Sequence, residues 1–580
     1  MSGEREFRIR PGRIRSTRAQ HGRPFIAQAL VAARKAGGGI PRSGHVVRGA
    51  RSRFGLGQRA SIQANRLITS RSRGAVVKAR VVRHTAFGAQ LGTHLDYLRR
   101  DGVTREGEKG RLFGPGTQPA DGRVFAGRCA EDRHHFRFIV SPEDAREMAD
   151  LRSFTGDLVG RMQKDLGTRL DWIAVDHWNT GHPHIHLIVR GVRDDGEDLV
   201  IARSYIKEGM RDRARDLITQ ELGPRTDLDI RRNLERQIEA ERWTQLDRQL
   251  MREAATTGFI DLAPRAGRQP DEFHALKIGR LRFLEVLGAA RQVGQAQWCI
   301  EPEAEVVLRQ LGERGDIIRR MHRALSEVGI ERAADRYVLA AEKLAVPVIG
   351  RLVERGLDDE LTGTAYAVVD GVDGRTHHVR LSHLAAAGDS APGSIVELRT
   401  YDDARGDRRV AIAVRSDLDI KAQVRASGAT WLDRHTVARE PVALADSGFG
   451  ADVRKALEQR ADHLIGEGLA NRDKGGRVVF ARRLLDTLRD RELAALGDKL
   501  AAETVLPFHR GGSGEFVAGI YRRRFDLATG RFAMIDDGLG FQLVPWSPTL
   551  ERELGRHVSG VARIDGGIDW SFGRRRGLGL

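Results

Sequence analysis

The spacing of apolar residues sorts the amino-terminal part of the chain into short strand-like runs and longer helical ones. Alternation predicts strands at Ala75 to Arg83, His134 to Val140, Leu170 to Val175 and His184 to Val192, with a short further strand at Leu199 to Ile201. Between them the period lengthens. His84 to Arg100 reads as a helix. Ser141-Pro142-Glu143-Asp144 reads as the start of another, since serine can cap, proline fits the first helical position and two acids favour the positive end of the dipole. Met148, Leu151, Leu158 and Met162 follow at helical spacing and supply its apolar face. Tyr205 to Leu222 is a further helix, stopped by Gly223-Pro224. Gly102 to Gly127 reads as loop-rich, with Gly114-Pro115-Gly116 as a breaker. Strands interleaved with packed helices predict an α+β domain with a largely antiparallel sheet over residues 74–225.

The pattern then changes several times. Residues 226–262 are rich in charge, with Leu234, Ile238, Trp243, Leu246 and Leu250 at helical spacing, and predict a charged helical connector. Residues 263–355 predict a helical module. Within it Leu281 to Trp298 resembles a small winged helix, and a plain helical bundle fits equally well. Short runs with Asp-Gly and Pro-Gly turns predict a small β-barrel-like module over 360–418. Helices return over 419–505, clearest at Val453 to Ile465 and Leu484 to Leu500, and β-hairpins close the chain over 506–580, ending in a basic tip at Arg574-Arg575-Arg576.

At 580 residues several domains are expected, and the formal net charge of +18 favours a polyanionic partner, of which nucleic acid is the commonest. Residues 1–73 hold 17 Lys or Arg against Glu4 and Glu6, so this basic arm is expected to be largely disordered and to track DNA. Cys129 and Cys299 are the only cysteines and stand far apart, which argues against a disulfide framework and for a reducing cytoplasm. There is no run of the roughly 20 apolar residues that membrane insertion requires, and no signal-peptide pattern.

Chemistry concentrates at Asp176-His177-Trp178-Asn179-Thr180-Gly181-His182-Pro183-His184-Ile185-His186. His184 and His186 share one face of a strand, and His177 ends the strand before it, so two adjacent strands bring three imidazoles to one point. Three protein ligands with an open position suit a catalytic metal, and imidazoles alone suit zinc or a later transition metal as well as others. His134 and His135 read as ordinary strand residues. Upstream, Thr93-His94-Leu95-Asp96-Tyr97-Leu98-Arg99-Arg100 sets a tyrosine among basic residues. A phenol that attacks a phosphodiester needs its proton removed and the phosphate charge neutralised.

An early tyrosine, a middle strand ending in Ser141-Pro142 and a late His177, His184, His186 triad, in that order, resemble the relaxases of conjugative and mobilisable plasmids, and within them the class of the T-DNA border endonuclease. The likeness runs from about Ala75 to Pro224. It implies a relaxase core with an antiparallel sheet and packed helices, with Tyr97 as nucleophile and His177, His184 and His186 on Mg2+ or Mn2+. Asp176 or Asp96 would orient an imidazole or take the phenol proton, and Arg99, Arg100, His182 and Arg190 would contact DNA. The implied substrate is single-stranded or melted DNA at a transfer origin, and the implied partners are accessory nicking proteins, a coupling protein and type IV secretion machinery. The chain carries no G-x-x-x-x-G-K-[ST] for nucleotide use. Two other readings are a rolling-circle replication initiator with the same chemistry and a non-catalytic, multi-domain DNA-binding protein with a structural zinc.

Overall fold

The computed structural model describes residues 71–571, apart from 85–89, 101, 117–118, 179–181, 255–257, 264–273, 340–346, 404–405, 513 and 564–566. Residues 1–70 of the basic arm and the Arg574-Arg575-Arg576 tip lie outside the described residues. The fold is α+β. The chain divides into two compact units, Met1–Glu239 with Gln269–Arg280 and Ala240–Arg268 with Leu281–Leu580.

The first unit is built on four antiparallel strands, β1 (Ala75–Arg83), β2 (His134–Pro142), β3 (Trp172–His177) and β4 (His184–Arg190), in the order β1-β2-β4-β3. Its helices are α1 (Gln90–Leu98), α2 (Gly122–Arg128), α3 (Leu151–Leu166), α4 (Met210–Leu222) and α5 (Asp227–Ile238). A π-helical turn, Tyr205–Gly209, leads into α4. Because side chains alternate along a strand, each side of the sheet has its own core. Phe136, Phe138, Val140, Trp172, Ala174, Ile185, Leu187 and Val189 pack under Phe154, Leu158 and Met162 of α3 and Ala214 and Ile218 of α4. Ile173, Val175 and Ile188 point the other way, into Leu91, Leu95 and Leu98 of α1 and Phe125 of α2. Leu91, Leu95 and Leu98 are four and three residues apart, the spacing of one helical face, and each full burial stabilises by about 1.5–3 kcal/mol. Gly122 permits the close approach of α2, since a Cβ there would stand 2.9 Å from Leu112 and 3.6 Å from Leu95.

Three expectations change here. Ser141 and Pro142 do not start a helix; they finish β2, paired with Val76 and Ala75, where the missing N–H of Pro142 costs nothing at a strand end. The helix starts nine residues later, and the Asp150 carboxylate accepts from the Arg152 and Ser153 amides. Gly102 to Gly127 is not all loop, because Asp121 caps α2 within it. Leu199 to Ile201 forms no strand of its own; an isolated bridge joins Val192 to Asp198, and Ile201 is a single bridge residue.

The second unit contains one architecture twice. Its first pass runs through α6 (Gln245–Ala254), β5 (Ile260–Asp261), α7 (His274–Val286, of which Leu281–Val286 belong to this unit), the hairpin β6 (Ala290–Gly294) and β7 (Gln297–Ile300), and α8 (Ala304–Glu327). Then come β8 (Tyr337–Leu339), β9 (Val348–Asp359), β10 (Thr364–Gly371), β11 (Thr376–Leu381), β12 (Ile395–Asp402) and β13 (Arg408–Ser416), ordered β13-β12-β9-β10-β11-β8. The second pass has α9 (Ile420–Val424), α10 (Trp431–Val437), α11 (Gly448–Gly466), the hairpin β14 (Ala470–Arg472) and β15 (Val478–Phe480), and α12 (Leu484–Thr504). Its sheet is β16 (Phe516–Asp526), β17 (Arg531–Asp536), β18 (Phe541–Pro545), β19 (His557–Ala562) and β20 (Ile568–Ser571), ordered β18-β17-β16-β19-β20. Read backwards, that order is the order of β13-β12-β9-β10-β11.

Residue-level detail repeats as well. Thr244-Gln245-Leu246-Asp247-Arg248 matches Thr430-Trp431-Leu432-Asp433-Arg434. In each, the threonine amide and hydroxyl both donate to the aspartate three residues on, at 2.7 Å in the first and 2.8 Å in the second. A buried arginine, Arg280 or Arg460, precedes a left-handed glycine, Gly288 or Gly468, by the same interval. The expected single connector over 226–262 is two helices, α5 and α6, with Thr244 capping the second. The expected barrel-like module starts earlier than 360, at β9, most of which falls within the span expected to be helical.

Candidate metal centre

The three histidines meet because of register. His177, the last residue of β3, lies directly opposite His184, the first residue of β4, and His186 follows two residues on, so all three rings leave the sheet on the side covered by α1 and α2. Ring centroids are 4.4 Å apart for His177 and His186, 4.9 Å for His184 and His186, and 5.4 Å for His177 and His184. All three are buried, with exposures of 0%, 9% and 3% for His177, His184 and His186.

Hydrogen bonds fix which nitrogen of two rings faces inward. His177 Nε2 lies 2.8 Å from the carbonyl oxygen of Leu98, and His184 Nδ1 lies 3.0 Å from that of His182. A carbonyl only accepts, so each contacting nitrogen carries the proton, and Nδ1 of His177 and Nε2 of His184 are the lone-pair atoms. His184 Nε2 lies 3.1 Å from His186 Nε2. Two nitrogens that share one ion at about 2.1 Å stand about 3–3.4 Å apart for angles between octahedral and tetrahedral. One nitrogen from each imidazole falls within a span of 4.8 Å, so the three can hold a metal ion. Carbonyl acceptors behind metal-binding imidazoles are the usual orienting arrangement.

The carbonyl behind His177 belongs to the residue after Tyr97. The Tyr97 ring is half-buried against the core that α1 shares with Ile173, Val175 and Ile188, which is the histidine side of the sheet. The Arg100 guanidinium sits 4.7 Å from the ring centroid. Arg99 is half-buried at the end of the same helix, whereas Asp96 is exposed. His182 is exposed and contributes its backbone oxygen to His184. Asn179, Thr180 and Gly181 lie outside the described residues.

Of the expected site residues, Asp176 faces away from the triad, and Arg190, on the histidine side, is paired with Asp132. Asp176 neighbours His177 along β3 and therefore projects to the opposite side of the sheet, where it accepts from Trp178 Nε1 at 2.7 Å and pairs with Arg152 of α3 at 3.4 Å. It cannot orient the imidazoles. Arg190 is held by both oxygens of Asp132, at 2.7 and 2.9 Å, so its fork is already engaged.

A polar chain beside the triad includes His135, expected from sequence to be an ordinary strand residue. Arg137 Nε donates to His135 Nε2 at 3.0 Å, and His135 Nδ1 lies 2.6 Å from His84 Nε2. Burial and the Arg137 charge press the His135 imidazole down to about 3, so it stays neutral and accepts. The alternation of His135 and Arg137 along β2 was the available signal.

A family model described as a protein of unknown function (DUF3363) matches residues 277–405 and 398–579, beyond the histidines. No curated protein and no solved structure matches the chain.

Proposed function

We propose, for a chain that belongs to the DUF3363 family, a function carried by the amino-terminal unit that this match leaves out: nicking and rejoining of one DNA strand at a transfer origin, as a relaxase does. The observation that supports it most is the hydrogen bond from His177 to the Leu98 carbonyl. It ties the helix that carries the phenol to the imidazoles that can hold a cation.

Tyr97 Oη attacks the scissile phosphorus. A P–O bond to tyrosine forms, the P–O3′ bond breaks, the phenol proton passes to solvent or a base, and the departing 3′ oxygen takes up a proton. The strand is left as a 5′-phosphotyrosyl ester with a free 3′-hydroxyl. One ester replaces another, so the reverse attack rejoins the strand without a nucleotide cofactor. His177, His184 and His186 would hold a divalent ion, Mg2+ or Mn2+ in the reading taken from the resemblance, which supplies charge neutralisation at the phosphate. Arg100, stacked on the phenol ring, adds positive charge beside the nucleophile. The resemblance also brings the coupling protein and type IV secretion machinery as partners of this reading.

The test is a denaturing gel of the purified chain incubated with single-stranded oligonucleotides from a transfer origin or a replication origin, with Mn2+. A covalent band with transfer-origin DNA, lost in Tyr97→Phe, in His186→Ala and in chelator, is expected. A band with replication-origin DNA alone would favour the rolling-circle initiator. DNA binding that survives in every variant, with no covalent band from any strand, would overturn the proposal in favour of a structural zinc protein.

A further inference from the structure

Among the described residues, Arg137 is a buried cation without a counter-ion. Its residue exposure is 8%, and no carboxylate pairs with it among the described residues. Its only charged neighbour of note is another cation, Arg80, directly opposite on β1. Burial and that like charge lower its guanidinium to about 10, so it remains charged at neutral pH. Desolvating an ion costs several kcal/mol, and folds seldom leave that cost uncompensated.

Position shows what could compensate it. Along β2, Arg137 and His135 alternate with Phe136 and Phe138, which enter the core on the far side, so both face the side that bears the triad. Arg137 lies across from Ile188 on β4, two residues from His186, while Ile139 lies across from His186 itself. On the edge strand, Lys78 faces Ile139 and Arg80 faces Arg137, and both are exposed. One basic row therefore runs from the edge strand β1 toward the imidazoles. The Nε of Arg137 is committed to the neutral His135, which is held in turn against His84. The two Nη groups form the remaining edge of the fork, and that edge matches two oxygens of a phosphate.

We propose that Arg137, positioned by His135 and His84 and assisted by Arg80 and Lys78, binds a phosphate of the DNA backbone next to the one that reacts, and so aligns the strand across the sheet. This rests on the nuclease reading of the triad for the identity of its ligand. The site itself requires only a phosphoryl oxyanion.

The experiment reads binding without chemistry. Fluorescence anisotropy of the full chain with a labelled 20-nucleotide oligo(dT), in chelator, is measured over a series of salt concentrations for the wild type, Arg137→Gln and the exposed-site variant Arg80→Gln. Each variant is expected to weaken binding and to lower the slope of log affinity against log salt by about one, the signature of one lost phosphate contact. Competition by inorganic phosphate at matched ionic strength distinguishes the sources. No competition beyond that of chloride is expected for a backbone site. Displacement in the wild type but not in Arg137→Gln would overturn the strand assignment in favour of a free phosphate ligand. Unchanged affinity and slope in Arg80→Gln and in a folded Arg137→Gln, verified by its melting curve, would overturn the site. Because the assay contains no metal and forms no covalent bond, absence of nicking in the gel test leaves its outcome unaffected.

Discussion

An imidazole offers two nitrogens, and the backbone decides which of them is free at His177 and His184. That decision was invisible in the sequence, because the atoms that make it are the carbonyls of Leu98 and His182. The triad itself was legible, since alternation alone puts His184 and His186 on one side. By the same rule Asp176, a strand neighbour of His177, faces the other side, although the resemblance implied a role for it at the site. Asp176→Ala is therefore expected to leave metal affinity, measured by calorimetry, unchanged, while the loss of its bonds to Trp178 and Arg152 costs about 1–3 kcal/mol in denaturant unfolding. Arg190 was beyond reach of pattern reading: it shares the histidine side, but Asp132, 58 residues upstream, claims it. Asp212 of α4 supplies a pH effect. Burial raises its carboxyl to about 6, and its Oδ2 has no hydrogen-bond partner among the described residues. The folded state thus holds this proton more tightly than the unfolded chain, so stability is greatest below the ordinary carboxylate range and falls as pH rises through about 6. Asp212→Asn should raise the melting temperature at pH 7.5, by an amount equivalent to about 1–2 kcal/mol, and the gain should vanish below about pH 4.

Among the elements, strands were easier to place than helix starts. β1 matches its expected range because nine alternating residues leave little freedom. The Ser141-Pro142 signal failed because capping chemistry is local, whereas pairing with Ala75 and Val76 holds those residues in the sheet. β9 was missed for another reason. Gly350 and Gly356 interrupt its apolar pattern, and at Gly350 a Cβ would stand 2.4 Å from the Asp370 carbonyl oxygen, so the glycine serves close strand packing rather than a turn. The carboxyl end of α12 carries a local conflict. Val505 caps it in the left-handed region at φ 59° and is 89% exposed, although a β-branched side chain is strained there. Val505→Gly is expected to stabilise the protein by about 1 kcal/mol despite the greater freedom of unfolded glycine, as urea denaturation would show.

At the scale of the whole molecule, two units with separate cores predict two unfolding transitions rather than one. Arg460 gives a way to tell them apart. It is 2% exposed and binds both oxygens of Asp433, at 2.9 and 2.8 Å, along with three backbone carbonyls. Arg460→Met should destabilise by about 3–5 kcal/mol, because it strands a buried carboxylate, and calorimetry should show that loss in one transition only. The repeated architecture was not read from sequence, because its two passes share a few anchoring residues and a strand order rather than an apolar pattern. It has a consequence for synthesis. A polypeptide that writes the same topology twice offers each half a counterfeit partner, and a strand of one pass can dock where its counterpart belongs. Emergence from the ribosome removes much of that danger, since the earlier pass can close before the later one exists. Dilution from denaturant grants no such head start, so yields on refolding should fall well short of yields on translation.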